Sequence, residues 1–397
     1  MTYKVLSNIN VEITRKCNLK CAFCHKGKAQ NLTISKEVID KSVTELKDVY
    51  IQSIQFSGGE PTLEPEMFDY LIHKIIESKL KIGFVGFFTN GIKTDERILS
   101  SLNMLLDYLH SEKYPEMLEE AFESTYRNRK QRMTVIISDY MHKNENNVSA
   151  AKDFYNKITK DDYSVFLQSE LLSNNCVIDI AGNAEINYDT ILKTPLSINS
   201  IRVPVTEYFI INSIGENIIY TEDLIHIGAN GNIYLNAAPY EQSDRNPMFN
   251  ILDCNFDFWE KLNNWCWLHP IGKKAKAVLE TYKTLQFCRD KQIKITENIE
   301  SLFETINVTS SIIHLLENAI FNIHRQYSKF TFSECENLAV TIIYSHLVDS
   351  FRYDENLAVT ILSSISDYDF TSSNKTIISL CGTAYFLKLK AKYGYVD

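Results

Sequence analysis

Residues 8–16, Asn-Ile-Asn-Val-Glu-Ile-Thr-Arg-Lys, alternate apolar and polar positions, the period of a strand. From Ser35 to Tyr50 the period lengthens, and Val38, Ile39, Val43, Leu46 and Val49 recur at helical spacing. The exchange then repeats. Ser53–Phe56 reads as a strand that stops at Ser57-Gly58-Gly59, and a helix over about 64–79 carries Met67, Leu71, Ile72, Ile75 and Ile76 on one face. Ile82–Phe88 is an expected strand ended by Thr89-Asn90-Gly91, with a helix over about 94–105 after it. A short strand follows at Asp107–His110, then a helix rich in Glu and Arg over about 115–130. Met133–Ser138 is the fifth strand, residues 147–158 the next helix, and Val165–Leu172 the sixth strand.

Strands alternating with helices at short spacing predict an α/β fold around a parallel sheet, open and twisted or curled into a partial (β/α)6 barrel. In such folds ligands sit at the carboxyl ends of the strands. The patterning changes after about residue 175. Residues 200–240 are rich in Ile, Val and Tyr, and Gly228-Ala229-Asn230-Gly231-Asn232 has the make-up of a hairpin turn. From about 290 the chain reads as helical. There Glu336-Asn337-Leu338-Ala339-Val340-Thr341-Ile342 recurs as Glu355-Asn356-Leu357-Ala358-Val359-Thr360-Ile361, which predicts two similar helices in a small bundle. Ser333 with Glu336 forms a candidate capping box at the first copy. Three regions are therefore expected: 1–195, a partial barrel; 196–289, an extension containing a β-hairpin; and 290–397, a helical C-terminal region.

Composition narrows the class. A chain of 397 residues with 45% hydrophobic and 23% charged residues is ample for a large core and ordinary for a soluble globular protein. A net charge of −9 argues against a nucleic-acid-binding surface, which needs a basic face. No apolar run approaches the roughly 20 residues that cross a bilayer, and no signal-peptide pattern opens the chain. Nine cysteines, an odd number with three clustered, point to a reducing compartment, so the expected location is cytoplasmic.

The chemistry begins at Cys17, Cys21 and Cys24, three thiols that follow the first strand directly. Three thiolates cannot pair into internal disulfides without leaving one over. They can converge on a metal. One reading is structural zinc, completed by His25 or a distant Cys, because zinc prefers a closed tetrahedral shell. The other is an iron-sulfur cluster with one iron left open. No second short Cys or His pair stands at zinc-finger distance, and the triplet lies in a strand-end loop at the head of a βα series. Arg15, Lys16, His25, Lys26 and Lys28 flank it, either as a solvated basic loop or as charge that holds an anionic cluster.

Cys17-Asn18-Leu19-Lys20-Cys21-Ala22-Phe23-Cys24 resembles the cluster loop of the radical S-adenosylmethionine (radical SAM) superfamily. Gly58-Gly59-Glu60-Pro61 is similar to that family's second-strand motif, and Thr89-Asn90-Gly91 to its third-strand ending. The resemblance covers roughly residues 5–175. It implies that Cys17, Cys21 and Cys24 each ligate one iron of a [4Fe-4S] cluster, and that the fourth iron chelates the methionine moiety of SAM. It also implies that the backbone of Gly58 and Gly59 approaches SAM closely, Glu60 accepts from its ammonium, and Phe23 packs near the adenine. Thr89 and Asn90 are candidates to line the SAM pocket, Ser111 and Ser138 to contact the ribose, and Gln168 and Glu170 to touch substrate.

Ile227–Tyr234 looks like the hairpin that opens the SPASM-type extension of many radical SAM enzymes. Where those extensions place their first auxiliary-cluster cysteine, this chain has Asn236-Ala237-Ala238. The remaining cysteines, Cys254, Cys266 and Cys288 among them, lack paired spacing, so a degenerate extension without an auxiliary cluster is expected. What the resemblance implies is an enzyme that cleaves SAM reductively and takes a hydrogen atom from its substrate, served by a low-potential donor such as flavodoxin or ferredoxin. A peptide or protein is the first substrate class, and a small metabolite (nucleoside, sugar or amino acid) the second. From another class, a zinc- or cluster-binding interaction protein fits the thiols alone.

Overall fold

The structure is a computed structural model. It describes residues 2–22, 24–111, 118, 132–138, 145–158, 164–167, 176–179, 183, 198–202, 211–214, 217–221, 224–235, 239–245, 247–266, 273–290, 297–366, 368, 370 and 375–395. The expected helix over 115–130 lies outside them except for Leu118.

The first strand, β1 (Tyr3–Thr14), shows why the chain folds as it does. Ile9, Val11 and Ile13 are buried on one face, and Asn10, Glu12 and Thr14 are buried on the other. A strand covered on both sides belongs in a parallel sheet. It is followed by α1 (Lys36–Leu46), β2 (Tyr50–Gly58), α2 (Pro65–Glu77), β3 (Lys81–Thr89), α3 (Glu96–Ser111), β4 (Met133–Ile137), α4 (Glu145–Ile158) and β5 (Ser164–Leu167). The strands β1–β5 are parallel neighbours in chain order. Short strands β6 (Cys176–Asp179), β7 (Ile198–Arg202) and β8 (Ile211–Ile214) come next, then β9 (Ile218–Thr221), β10 (Leu224–Ile227), β11 (Asn232–Leu235), α5 (Tyr240–Arg245) and β12 (Phe249–Asn250).

The parallel α/β architecture is the one the sequence predicts, with two differences. No strand exists at 107–110: α3 runs unbroken to Ser111, and Leu102, Leu105, Leu106 and Leu109 continue one buried helical face. The sheet also does not stop at the expected boundary after residue 195. Both β9 and β10 pair parallel to β1 on the side away from β2, with His226 opposite Asn10. The hairpin strands β11 and β12 then add antiparallel.

Helix entry and core packing are local and conventional. Ser35 caps α1, its hydroxyl accepting from the Val38 N–H at 3.2 Å. Phe68 of α2 sits between Phe56 of β2 and Phe87 of β3, with ring centroids 5.5 and 5.2 Å apart.

Two compact units emerge, Met1–Ile201 with Ser213–Leu262, and Arg202–Asn212 with Asn263–Asp397. The second contains the helices α7 (Lys273–Asp290), α8 (Glu297–Gln326), α9 (Phe332–Ser345), α10 (Glu355–Ile365) and α11 (Lys375–Tyr393), while α6 (Phe258–Cys266) precedes them. The two sequence repeats fall on α9 and α10. The capping box is shifted by two residues from expectation: Thr331, not Ser333, is the N-cap, and Glu334 closes the box. Among the described residues, no helix is long and apolar enough to cross a membrane.

Candidate iron-sulfur and SAM site

The loop after β1 leaves the sheet at Thr14 and returns at Thr33. Its neck is closed by backbone bonds from Arg15 N to Leu32 O and from Gln30 N to Arg15 O, at 2.8 and 3.0 Å. Inside the loop, Cys24 N donates to Cys21 O at 3.3 Å and Gly27 N to Cys24 O at 3.1 Å, two turns that hold the thiols on one side. Cys17, Cys21 and Cys24 form no disulfide, are half-buried and line one cavity of about 960 Å³ together with Gly59 and Tyr240. Burial pushes the Cys17 thiol up from its ordinary value, aided by Glu60 and Cys24, while the Leu19 N–H 3.4 Å from its sulfur opposes the shift. Three cysteine thiols lining one open cavity are the donor set an iron-sulfur cluster takes. The residues fit the group.

The glycines meet a packing requirement within the chain. Gly59 N donates to Thr14 O at 2.6 Å and Glu60 N to Lys16 O at 2.8 Å, so the loop after β2 docks backbone to backbone on the cluster loop. A Cβ on Gly58 would lie 2.2 Å from Thr14 O, and one on Gly59 2.2 Å from Lys16 O. The chain's own backbone fills that space. Asn183 braces the same loop, its N–H donating to Cys24 O at 2.9 Å and its side-chain amide to Cys21 O at 3.2 Å.

Glu60 is held by bonds within the chain. It is 1% exposed, and its Oε1 accepts from the Thr62 N–H, the Thr62 hydroxyl and the Thr89 hydroxyl at 3.1, 2.7 and 2.7 Å. Its Oε2 accepts from the Asn90 N–H at 2.6 Å. The carboxylate is therefore spent on tying the β2 and β3 ends together, and burial raises its pKa against those bonds. Asn90 carries the tie onward, donating from Nδ2 to Asn18 Oδ1 at 2.7 Å in the cluster loop. Ser138 stands at the end of β4, its N–H donating to Thr89 O at 2.7 Å. Ser111 does not stand at a strand end: it closes α3, and its hydroxyl donates to Tyr108 O at 2.7 Å. Phe23, Gln168 and Glu170 lie outside the described residues, as does the run 236–238.

The polar face of β1 supplies what sequence reasoning missed. Glu12, 0% exposed, accepts from Arg15 Nε at 2.7 Å and from the Ala229 N–H at 3.0 Å, with His226 Nε2 3.4 Å away. Arg15, buried beneath the loop, makes a two-pronged contact to Asp244 at 2.8 and 2.9 Å and lies over the Tyr240 ring. Burial pushes the Glu12 carboxyl up but is outweighed by His226, Lys26 and Arg15, which hold it at about 2. Burial and Lys26 together hold His226 at about 4, so its imidazole is neutral at neutral pH and the charges facing Glu12 there are Arg15 and Lys26. Burial lowers the Lys26 ammonium to about 8 against the pull of Glu12 and Cys24. Arg15 and Lys26 are thus interior ions and no solvated loop, whereas Lys16 pairs with Glu64 at 2.7 Å near the surface.

The model of the radical SAM superfamily matches residues 11–111, the segment that holds the three cysteines, the Gly-Gly-Glu turn and the Thr-Asn-Gly turn. This segment belongs to the radical SAM superfamily. Among curated proteins, the chain is similar to a probable GTP 3′,8-cyclase of Archaeoglobus fulgidus, 33% identical over 120 residues, covering 28% of this chain and 39% of that protein. It is also similar to the GTP 3′,8-cyclase of Chlorobaculum tepidum, 28% identical over 120 residues, covering 28% and 36%. The chain thus spans well under half the length of the curated relatives it matches. Among solved structures, BtrN in complex with AdoMet and 2-DOIA aligns with a TM-score of 0.40 at 16% identity, over 69% of this chain and 91% of that one.

Proposed function

We propose that this chain is a radical SAM enzyme whose Cys17, Cys21 and Cys24 hold a [4Fe-4S] cluster with SAM bound at the remaining iron. The observation that carries the reading is that the thiols of Cys17, Cys21 and Cys24, none in a disulfide, line one cavity whose wall includes Gly59. When bound, the cluster supplies the electron that splits SAM into methionine and a 5′-deoxyadenosyl radical, and that radical takes a hydrogen atom from the substrate.

The chain's own residues do the rest. The loop neck at Thr14–Arg15 and the Asn183 brace fix the three sulfurs relative to the sheet. Glu60, through Thr62, Thr89 and Asn90, ties the ends of β2 and β3 together, and would leave the Gly-Gly-Glu backbone rather than a free carboxylate to receive the ammonium of SAM. Tyr240 and Glu241, at the start of α5 just after the hairpin, wall the cavity and would help to exclude water from it. A low-potential donor such as flavodoxin or ferredoxin reduces the cluster, and the extension carries no second one.

For substrate, a peptide or protein is the first reading, supported by the resemblance of the hairpin at 227–234 to the opening of a SPASM-type extension. The second, a small anionic metabolite such as a nucleotide, is supported by the exposed Lys20 and Lys28 at the mouth and by the relatives that act on GTP. Anaerobically reconstituted protein is expected to hold about four irons, the content of one cluster, and to release 5′-deoxyadenosine from SAM and dithionite. Cys17→Ala is expected to abolish both. Stoichiometric zinc without sulfide would overturn the reading, and about eight irons would overturn the single-cluster assignment. Deuterium transfer into 5′-deoxyadenosine from labelled nucleotides, or from a peptide encoded beside the gene, separates the two substrate classes.

A further inference from the structure

Lys26 lies two residues past Cys24, is 5% exposed, and lines the same cavity as the three thiols. An ammonium carries three N–H donors. Among the described residues, the one hydrogen-bond partner of this ammonium is His226 Nε2 at 3.5 Å, a long contact. Its other neighbours are the rings of Tyr234 and Tyr240, each 5.8 Å from Nζ to the centroid. Glu12, the carboxylate whose charge acts on Lys26, is already committed: it takes Arg15 at 2.7 Å and the Ala229 N–H at 3.0 Å. His226 cannot answer as an anion, and its Nδ1 is buried with no partner.

A buried cation with unspent donors is costly unless an anion meets it. Here the unspent side opens on the cavity that holds the thiols. A [4Fe-4S] cluster in its oxidised 2+ state carries a net charge of −1 on three thiolates, and one electron takes it to −2. We propose that the Lys26 ammonium, propped by His226 and the two tyrosine rings, is the buried counter-charge of the cluster and raises its reduction potential. This rests on the cluster assignment above. A fixed positive charge favours the more negative, reduced state, so removing it makes reduction harder.

The test is a redox titration of anaerobically reconstituted protein without SAM, following the electron paramagnetic resonance signal of the reduced cluster. Lys26→Met is expected to lower the reduced-to-oxidised ratio at a fixed potential about tenfold, which is ~59 mV for a one-electron step. Lys26→Arg is expected to stay near wild type. A Lys26→Met cluster with the wild-type potential overturns the proposal, and if SAM affinity falls in that variant while the potential holds, the ammonium serves SAM's carboxylate instead. Should Lys26→Met assemble no cluster, Lys26→Arg decides: restored iron content supports a need for charge, and failure of both assigns Lys26 to packing and overturns it. Wild type without iron would sink the cluster assignment itself, a failure distinct from an unchanged potential.

Discussion

Two buried carboxylates brace the cluster loop from opposite sides, and they are held by opposite means. On the β1 floor, Glu12 is surrounded by ions: Arg15 touches it, and Lys26 lies beyond His226. At the ends of β2 and β3, the donors to Glu60 among the described residues are neutral, from Thr62, Thr89 and Asn90. Both are fully buried, yet Glu12 is held down at about 2 while Glu60 is raised by burial. At Glu60 the hydrogen bonds favour the charged form but do not offset burial; at Glu12 the His226 hydrogen bond together with the charges of Lys26 and Arg15 does. The floor is therefore an electrostatic unit, and the Glu60 clamp a geometric one.

The largest expected effect separates the two. Glu12→Gln keeps the shape but leaves Arg15 and Lys26 buried without their shared counter-charge, and breaking such a set costs about 3–5 kcal/mol. Urea unfolding followed by circular dichroism reads it. The pH profile sharpens the point. Glu12's folded value of about 2 lies below its ordinary 4.5, so its contribution is complete above pH 4.5 and disappears as pH falls through about 2. That shift corresponds to about 3 kcal/mol. The stability gap between wild type and Glu12→Gln should therefore close on acidification. A gap independent of pH would mean that Glu12 acts through shape alone.

Glu60→Gln is expected to cost less, about 1–3 kcal/mol for one mismatched buried donor. Its pH trend should run the other way. A raised carboxyl contributes most below its unfolded value and loses that contribution as pH rises through its folded one. The penalty of Glu60→Gln should therefore shrink, not grow, between acid and neutral pH. A penalty that grows with pH would place an unseen cation beside Glu60 and erase the contrast with Glu12.

How much of this was legible in the sequence follows from distance along the chain. The thiols and the two glycine-containing turns are local signatures, each ending a strand whose period shows, so the parallel fold and the cysteine site could be read directly. The floor could not: Lys26 and His226 are 200 positions apart and meet because β10 pairs with β1, a pairing no local period announces. A hint was present in Asn10, Glu12 and Thr14, polar residues on one face of a strand that a parallel sheet buries on both. Short runs misled. Asp107–His110 is too brief to tell strand from helix, and the leucine spacing before it belongs to α3. At α9 two capping boxes overlap in the sequence. The one at Thr331 is used because it sets Phe330 and Cys335, both buried, at the staple positions, where Ser333 would set Asn337. The repeated heptapeptide likewise does not mean repeated packing: Leu338 is buried and Leu357 is 47% exposed.

The smallest effect is expected at Lys16, and it isolates burial from distance. Lys16 and Glu64 are 2.7 Å apart, the same separation as Arg15 and Glu12. Lys16 is 40% exposed and Glu64 19%, whereas Arg15 and Glu12 are 1% and 0% exposed. Water and salt reach the first pair, and fixing its long side chain offsets most of what the contact gains, so Lys16→Ala should change stability by about 0–1 kcal/mol. At ~1 M salt, where charges are screened beyond roughly 3 Å, even that difference should fade while the Glu12→Gln penalty persists. If Lys16→Ala costs as much as Glu12→Gln, or if salt removes both effects equally, the floor owes nothing to being buried. The persistence of one and loss of the other would establish that the cluster loop is anchored through the interior ions of β1 and not through its surface pair.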